Sequence, residues 1–221
     1  SYSLVKTMRA GILVLGPLIS KYKKATTSLP GGCLIGARPV NFHLNALGKL
    51  GMTHSIKKGY IYANAHRGLK GSIIKFPKIS VGATENAILA ATLAKGKTIL
   101  KNCAIEPEIK IDLTNFLNKA GAKIKWIGKR SVEIDGVKKL NSISYSVMAD
   151  RIECGTFCVV AAISKGELKI NGLDPNIITT EIKLLKKIGK KIKTYDKTIL
   201  IKGPKKIKSL KFLETKEYDG F

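Results

Sequence analysis

Leu117-Asn118-Lys119-Ala120-Gly121 has the form of a helix end, with lysine on the outer side and a glycine where the chain turns back. The same form occurs as Leu47-Gly48-Lys49-Leu50-Gly51 and as Leu185-Lys186-Lys187-Ile188-Gly189. The closing glycines Gly51, Gly121 and Gly189 are 70 and 68 residues apart. Ala94-Lys95-Gly96-Lys97-Thr98 and Ser164-Lys165-Gly166-Glu167-Leu168 fall into the same register. The chain therefore repeats one unit three times. The unit is too long for a thin solenoid, whose repeats run to roughly 20–47 residues.

Working outward, each copy reads as an apolar helix, a strand, a second helix closed by glycine, and two final strands. In the first copy these are the apolar stretch 10–19, a strand over 23–28, a helix over 40–50, and strands over 53–56 and 60–63. The second copy opens with a strand over 71–76. It continues with helix 85–93, strand 98–102, helix 108–119, and strands 122–127 and 131–134. The third has helix 155–163, strand 167–170, helix 179–188, and strands 191–195 and 198–201. Helices 85–93 and 155–163 are apolar on most sides and read as buried. The lysine-bearing helices read as amphipathic and outer, with Lys183, Lys186, Lys187 and Lys190 on exposed faces. This pattern predicts a mixed α/β fold of βαβαββ subdomains, with sheets layered around buried helices.

The formal net charge is +25, which raises nucleic acid as a partner. Five of the 40 basic residues are arginine, the lysines are evenly spread, and aromatics do not cluster among them. The forks and stacking platforms that read bases and phosphates are missing, so a dedicated nucleic-acid role is not favoured. No apolar run reaches the roughly 18 residues of a membrane span. Cys33, Cys103, Cys154 and Cys158 form no CxxC pair and no metal spacing. Cys103, Cys154 and Cys158 read as core, and free thiols fit a reducing cytoplasm. The chain opens on Ser-Tyr-Ser without methionine and closes on Tyr218-Asp219-Gly220-Phe221 without a polar taper, and so reads as the interior of a longer chain.

The chemistry-bearing stretch is Leu29-Pro30-Gly31-Gly32-Cys33-Leu34-Ile35-Gly36-Ala37-Arg38-Pro39-Val40. Two glycines before Cys33 suit a loop that approaches a small anion, and the planar Arg38 guanidinium suits phosphate or carboxylate. Composition alone leaves a plain alternative, a turn around a small buried cysteine. His43 and His54 read as ordinary surface or interface histidines. Glu106 and Glu108 flank Pro107, either capping a helix or supporting the site. Asp150 and Arg151 read as a structural pair.

Five segments, in order, resemble the UDP-N-acetylglucosamine 1-carboxyvinyltransferase family of enolpyruvyl transferases. They are Leu4-Val5-Lys6-Thr7-Met8-Arg9-Ala10, the Gly-Gly-Cys loop through Val40, Ser80-Val81-Gly82-Ala83-Thr84-Glu85-Asn86, Glu106-Pro107-Glu108-Ile109 and Asp150-Arg151-Ile152-Glu153-Cys154-Gly155-Thr156. The resemblance implies two domains, each of βαβαββ units arranged as an inside-out α/β barrel. Residues 1–147 would be most of the domain that carries the catalytic loop, and residues 148–221 the first part of the other. The implied reaction moves the enolpyruvyl group of phosphoenolpyruvate to the 3′-hydroxyl of UDP-N-acetylglucosamine and releases phosphate. Cys33 matches the family cysteine that protonates C3 or adds at C2, and Arg38 the arginine that contacts phosphoenolpyruvate. Arg9 matches a further pocket arginine. Pro39, Val40, Asn41 and Phe42 match the uracil-lining segment. Ser80, Val81 and Gly82 match the diphosphate-contacting backbone, with Lys78 beside them. No cofactor, metal, membrane or dedicated nucleic acid is implied. The site would need the remainder of its own chain.

Asn41 replaces a common family aspartate, Phe42 a usual leucine and Gly11 a common serine. Two other readings stand beside the resemblance: a related transferase with another acceptor, such as a shikimate phosphate, and a non-catalytic basic remnant of the scaffold.

Overall fold

A computed structural model describes residues 8–31, 40–202 and 207–218. The chain divides into two compact units, Ser1–Tyr145 and Ser146–Phe221.

The three glycine ends are the same structure. Gly51, Gly121 and Gly189 have φ of 102°, 100° and 97°. Met52 N–H donates to Leu47 O at 3.1 Å, Ala122 N–H to Leu117 O at 3.0 Å, and Lys190 N–H to Leu185 O at 3.0 Å. The glycine N–H groups donate to Gly48, Asn118 and Lys186 carbonyls at 2.9, 2.9 and 3.0 Å. Each end is thus a Schellman motif, with the glycine in the left-handed region that a Cβ would strain.

In the first unit, strands β1 (Lys24–Ser28), β2 (Thr53–Lys57) and β3 (Tyr60–Asn64) form an antiparallel sheet in the order β1-β3-β2. Strands β4 (Ile73–Lys75), β5 (Lys97–Lys101), β6 (Lys123–Gly128) and β7 (Ser131–Asp135) form a second sheet, β4-β5-β7-β6. Only β4, which runs parallel to β5, breaks its antiparallel pattern. In the second unit, β8 (Glu167–Asn171), β9 (Lys191–Tyr195) and β10 (Thr198–Lys202) pair as β8-β10-β9. Each copy therefore closes the same way, with the last hairpin strand between its partner and the strand before the second helix. The full βαβαββ order appears only in the middle copy, which alone among the described residues has the leading strand β4.

The sheets are separate and open, which corrects the expected inside-out barrel. Strands β3, β7 and β10 have both edges paired within their own copy, leaving only short outer strands. Those outer strands carry lysine, as at Lys57 on β2, Lys123 and Lys125 on β6, and Lys191 and Lys193 on β9. Charged, short edges resist further pairing, so among the described residues no sheet closes on itself.

The helix Val81–Ala91 starts four residues earlier than the apolar run suggests, because Ser80 caps it. It packs against the helices Leu15–Tyr22 and Asn41–Lys49. Its residues Ala83, Ala87, Ile88, Ala90 and Ala91 are buried, in one core with Leu15, Ile19, Leu47, Leu100 and Ile134. Leu15–Tyr22 follows a 3-10 turn, Arg9–Val14. The segment expected as one helix over 108–119 opens with a π-helical stretch, Glu108–Leu113, and continues as Thr114–Lys119.

The second unit has its own core of Cys158, Ile178, Leu185, Ile199 and Ile201 between the helices Arg151–Ile163 and Thr179–Lys187 and its sheet. Lys183, Lys186 and Lys187 are exposed as expected, but Lys190 is buried. Its Nζ donates to Ala162 O in the last turn of Arg151–Ile163, where a cation meets the negative helix end. No helix among the described residues is long and apolar enough to cross a membrane.

Candidate functional site

The N-terminus of Val81–Ala91 opens onto a cavity of about 590 Å³. Ser80 Oγ accepts from Ala83 N–H at 3.4 Å, and Ser80 O accepts from Thr84 N–H at 3.0 Å. The N–H groups of Val81 and Gly82 belong to the first turn and have no intrahelical acceptor. Opposite them, the 3-10 turn brings Arg9, and the start of Asn41–Lys49 brings Phe42 and His43. Apolar Leu13 and Ile79 complete the wall. The cavity therefore joins an apolar surface to a guanidinium and a helix N-terminus, an arrangement that suits a ligand with a flat apolar part and an anionic part.

Of the residues singled out in the sequence, the cavity gathers Arg9, Phe42, Ser80, Val81 and Gly82. Val40 packs against the core, and Asn41 and Lys78 are exposed; none of these three is among the described lining residues. Cys33, Arg38 and Pro39 lie outside the described residues. His54 is exposed on β2. Cys103, Cys154 and Cys158 are buried free thiols, and burial pushes the Cys103 thiol up to about 12, far from a reactive thiolate.

Sequence reasoning gave neither His43 nor Asn86 a role in the site, although Asn86 is the last residue of the segment Ser80–Asn86. His43 is 4% exposed and Asn86 fully buried. Asn86 Nδ2 donates to Ile12 O at 3.0 Å and lies 3.1 Å from His43 Nδ1, while Asn86 Oδ1 accepts from Gly16 N–H at 2.6 Å. Burial, helped by the positive charge of Arg9, lowers the His43 pKa to about 4. Gly82 leaves room for this ring, since a Cβ there would stand 3.0 Å from His43 Cε1. The available signal was the polar run Thr84-Glu85-Asn86 inside an otherwise apolar helix, where a buried amide demands partners.

Glu106 does not cap with its side chain. Its backbone carbonyl accepts from Ile109 and Lys110 N–H, both at 2.9 Å. Burial, then the charges of Glu108 and Glu106, raises the pKa of Glu85. Asp150 and Arg151 both serve the start of their helix. Asp150 Oδ1 accepts from Glu153 N–H at 2.7 Å, and Arg151 reaches Glu181 at 3.8 Å.

Residues 1–215 match the family described as EPSP synthase (3-phosphoshikimate 1-carboxyvinyltransferase). The chain belongs to this family. Over all 221 residues it is 62% identical to the UDP-N-acetylglucosamine 1-carboxyvinyltransferase of Pelagibacter ubique (strain HTCC1062), of which it covers 52%. It is 46% identical to the enzyme of the same name from Geotalea uraniireducens (strain Rf4), again covering 52% of that protein. The chain thus spans about half the length of these relatives. Among solved structures it resembles the enolpyruvyl transferase NikO from Streptomyces tendae, with a TM-score of 0.71 and 21% identity over 87% of this chain and 46% of that one. It also resembles EPSP synthase from Acinetobacter baumannii, with a TM-score of 0.63 and 22% identity over 87% of this chain and 46% of the other. These two likenesses place the chain in the enolpyruvyl transferase fold, with its family assignment resting on the sequence match.

Proposed function

We propose that the full-length protein transfers the enolpyruvyl group of phosphoenolpyruvate to the 3′-hydroxyl of UDP-N-acetylglucosamine, the first committed step of peptidoglycan synthesis, in the cytoplasm. The observation that carries this reading is the cavity, in a chain 62% identical to a relative of that name, where Arg9, Phe42 and the Ser80–Gly82 turn meet. The uracil ring stacks on the apolar wall near Phe42. The diphosphate takes the Val81 and Gly82 N–H groups, where the helix end favours negative charge.

The chemistry is addition followed by elimination. The 3′-oxygen bonds to C2 of phosphoenolpyruvate as C3 takes a proton, giving a tetrahedral phospho-ketal. C3 then returns a proton, the C2–O bond to phosphate breaks, and inorganic phosphate leaves with the bonding electrons. Cys33 supplies the proton to C3 or holds C2 as a thioether-type adduct, and a nearby cation favours its thiolate. Arg38 neutralises the charge that builds on the departing phosphate. The base that takes the 3′-hydroxyl proton comes from the remainder of the full-length protein.

The test is mass spectrometry of full-length protein incubated with phosphoenolpyruvate and UDP-N-acetylglucosamine, beside a Cys33→Ala variant. Enolpyruvyl nucleotide and free phosphate, both lost in the variant, are expected. Product with shikimate 3-phosphate instead of the nucleotide would move the acceptor to the one in the family's description. No product with either acceptor from folded protein would make the scaffold non-catalytic.

A further inference from the structure

We infer that Asn86 locks His43 as a neutral imidazole with its proton on Nε2, and that this N–H is a fixed donor to the phosphate end of a nucleoside diphosphate at the Ser80–Gly82 turn. The inference rests on the nucleotide reading of the cavity.

The hydrogen bonds leave little freedom. Gly16 N–H can only donate, so the Asn86 oxygen must face it, at 2.6 Å. The Asn86 amino group is then turned to Ile12 O at 3.0 Å and to His43 Nδ1 at 3.1 Å. An amino group cannot accept, so Nδ1 must, and it carries no proton. The one proton of a neutral imidazole is then on Nε2. A protonated ring would press an N–H against the Asn86 amino group, and burial with the Arg9 charge already holds its pKa down to about 4. Nε2 has no hydrogen-bond partner among the described residues, although the ring is 4% exposed. It lies 3.3 Å from the point where a Gly82 Cβ would stand, beside the first-turn N–H groups, and His43 lines the cavity. The ring is otherwise enclosed and lines the cavity, so a ligand oxygen at this turn can accept from its N–H. Asn86 is therefore a positioning residue. It acts through His43 and ties three segments, Arg9–Val14, Leu15–Tyr22 and Asn41–Lys49, to the helix that carries the turn.

The test combines a spectrum and a binding split in the full-length protein. Nitrogen-15 shifts of labelled histidine in the wild type should show His43 with a pyridine-like Nδ1 and a pyrrole-like Nε2, unchanged down to about pH 5. His43→Ala should weaken UDP binding about tenfold, the loss of one hydrogen bond, and leave uridine binding unchanged. Asn86→Leu, where it unfolds cooperatively like the wild type, should match His43→Ala, and the double variant should be no weaker than either. A proton on Nδ1 or a charged ring near pH 7 overturns the lock, whatever the variants do. UDP binding that survives His43→Ala, or uridine binding lost equally, overturns the donor role. Wild-type protein that binds no UDP sinks the nucleotide reading and this inference together, which separates that failure from the others.

Discussion

The helices Val81–Ala91 and Arg151–Ile163 hold equivalent places in successive copies and are similarly apolar, yet they meet different surroundings. Val81–Ala91 is flanked by two other helices, and Ile88 in its middle has no exposed surface. On Arg151–Ile163, Ile152, Phe157 and Ile163 are 57%, 48% and 66% exposed. An all-round apolar helix needs neighbours on every side. In the first unit, two copies supply them to each other; in the second, the described residues form a single copy, with one further α-helix and one sheet. The cavity follows the same rule. Arg9, Phe42 and His43 come from one copy and Ser80–Gly82 from the next, so a site forms where copies converge.

The sharpest way to break this comparison is through the glycines of the two environments. A Cβ on Gly16 would stand 2.3 Å from Asn86 Oδ1 and 2.5 Å from its backbone oxygen. Gly16→Ala must push Leu15–Tyr22 off Val81–Ala91, and urea unfolding should show a loss of about 3 kcal/mol or more.

Next in size is a pH effect confined to the first unit, which holds all three histidines. The His43 pKa is about 4 when folded, against an ordinary 6.5, so between those values the unfolded chain binds more protons. Its contribution is complete above pH 6.5 and is lost as pH falls towards 4, amounting to about 3–3.5 kcal/mol at roughly 1.4 per unit. Stability measured against pH should lose this part of its slope in His43→Gln. An unchanged slope would mean that the ring titrates freely.

Smaller effects are expected in the second unit. Among the described residues a Cβ on Gly155 meets only Glu181 Cγ, at 3.9 Å, so Gly155→Ala should raise the melting temperature through helix propensity worth about 0.5–1 kcal/mol. A loss comparable to that of Gly16→Ala would show that the two helices are packed alike after all. Smallest is Lys190→Met. Lys190 stands where the other copies have the buried Met52 and Ala122, and burial lowers its pKa. The lost bond to Ala162 O is offset by removing a buried ammonium, so the change should stay within about 1 kcal/mol. A larger drop would mean that the helix end depends on that cation.

Much of this is legible in the sequence alone. The Leu-x-x-x-Gly ends, the alternation of lysine with apolar residues and the order of strands and helices are local signals, and the elements formed close to where they indicated. The boundary at Ser80 was missed because a cap is one side chain, invisible to periodicity. Closure into a barrel was wrongly expected because sheet edges are decided by pairing between distant strands. Arg9, Phe42 and Ser80–Gly82 were named through their family motifs. His43 and Asn86 were given no role there: His43 lies outside the quoted segments, and Asn86, the last residue of one, has partners 43 to 74 positions away.

The sequence by itself determined the threefold repeat, its glycine ends and the family, because those rest on residues a few positions apart or on motifs in order. Only the tertiary structure decided that the sheets stay open, that Lys190 turns inward and that Asn86 reaches Gly16, 70 positions away, and His43, 43 positions away. The physical reason is range. A helix end is written in its own turn, whereas a buried amide finds its partners only after separate copies have packed, and no local spacing records which they will be.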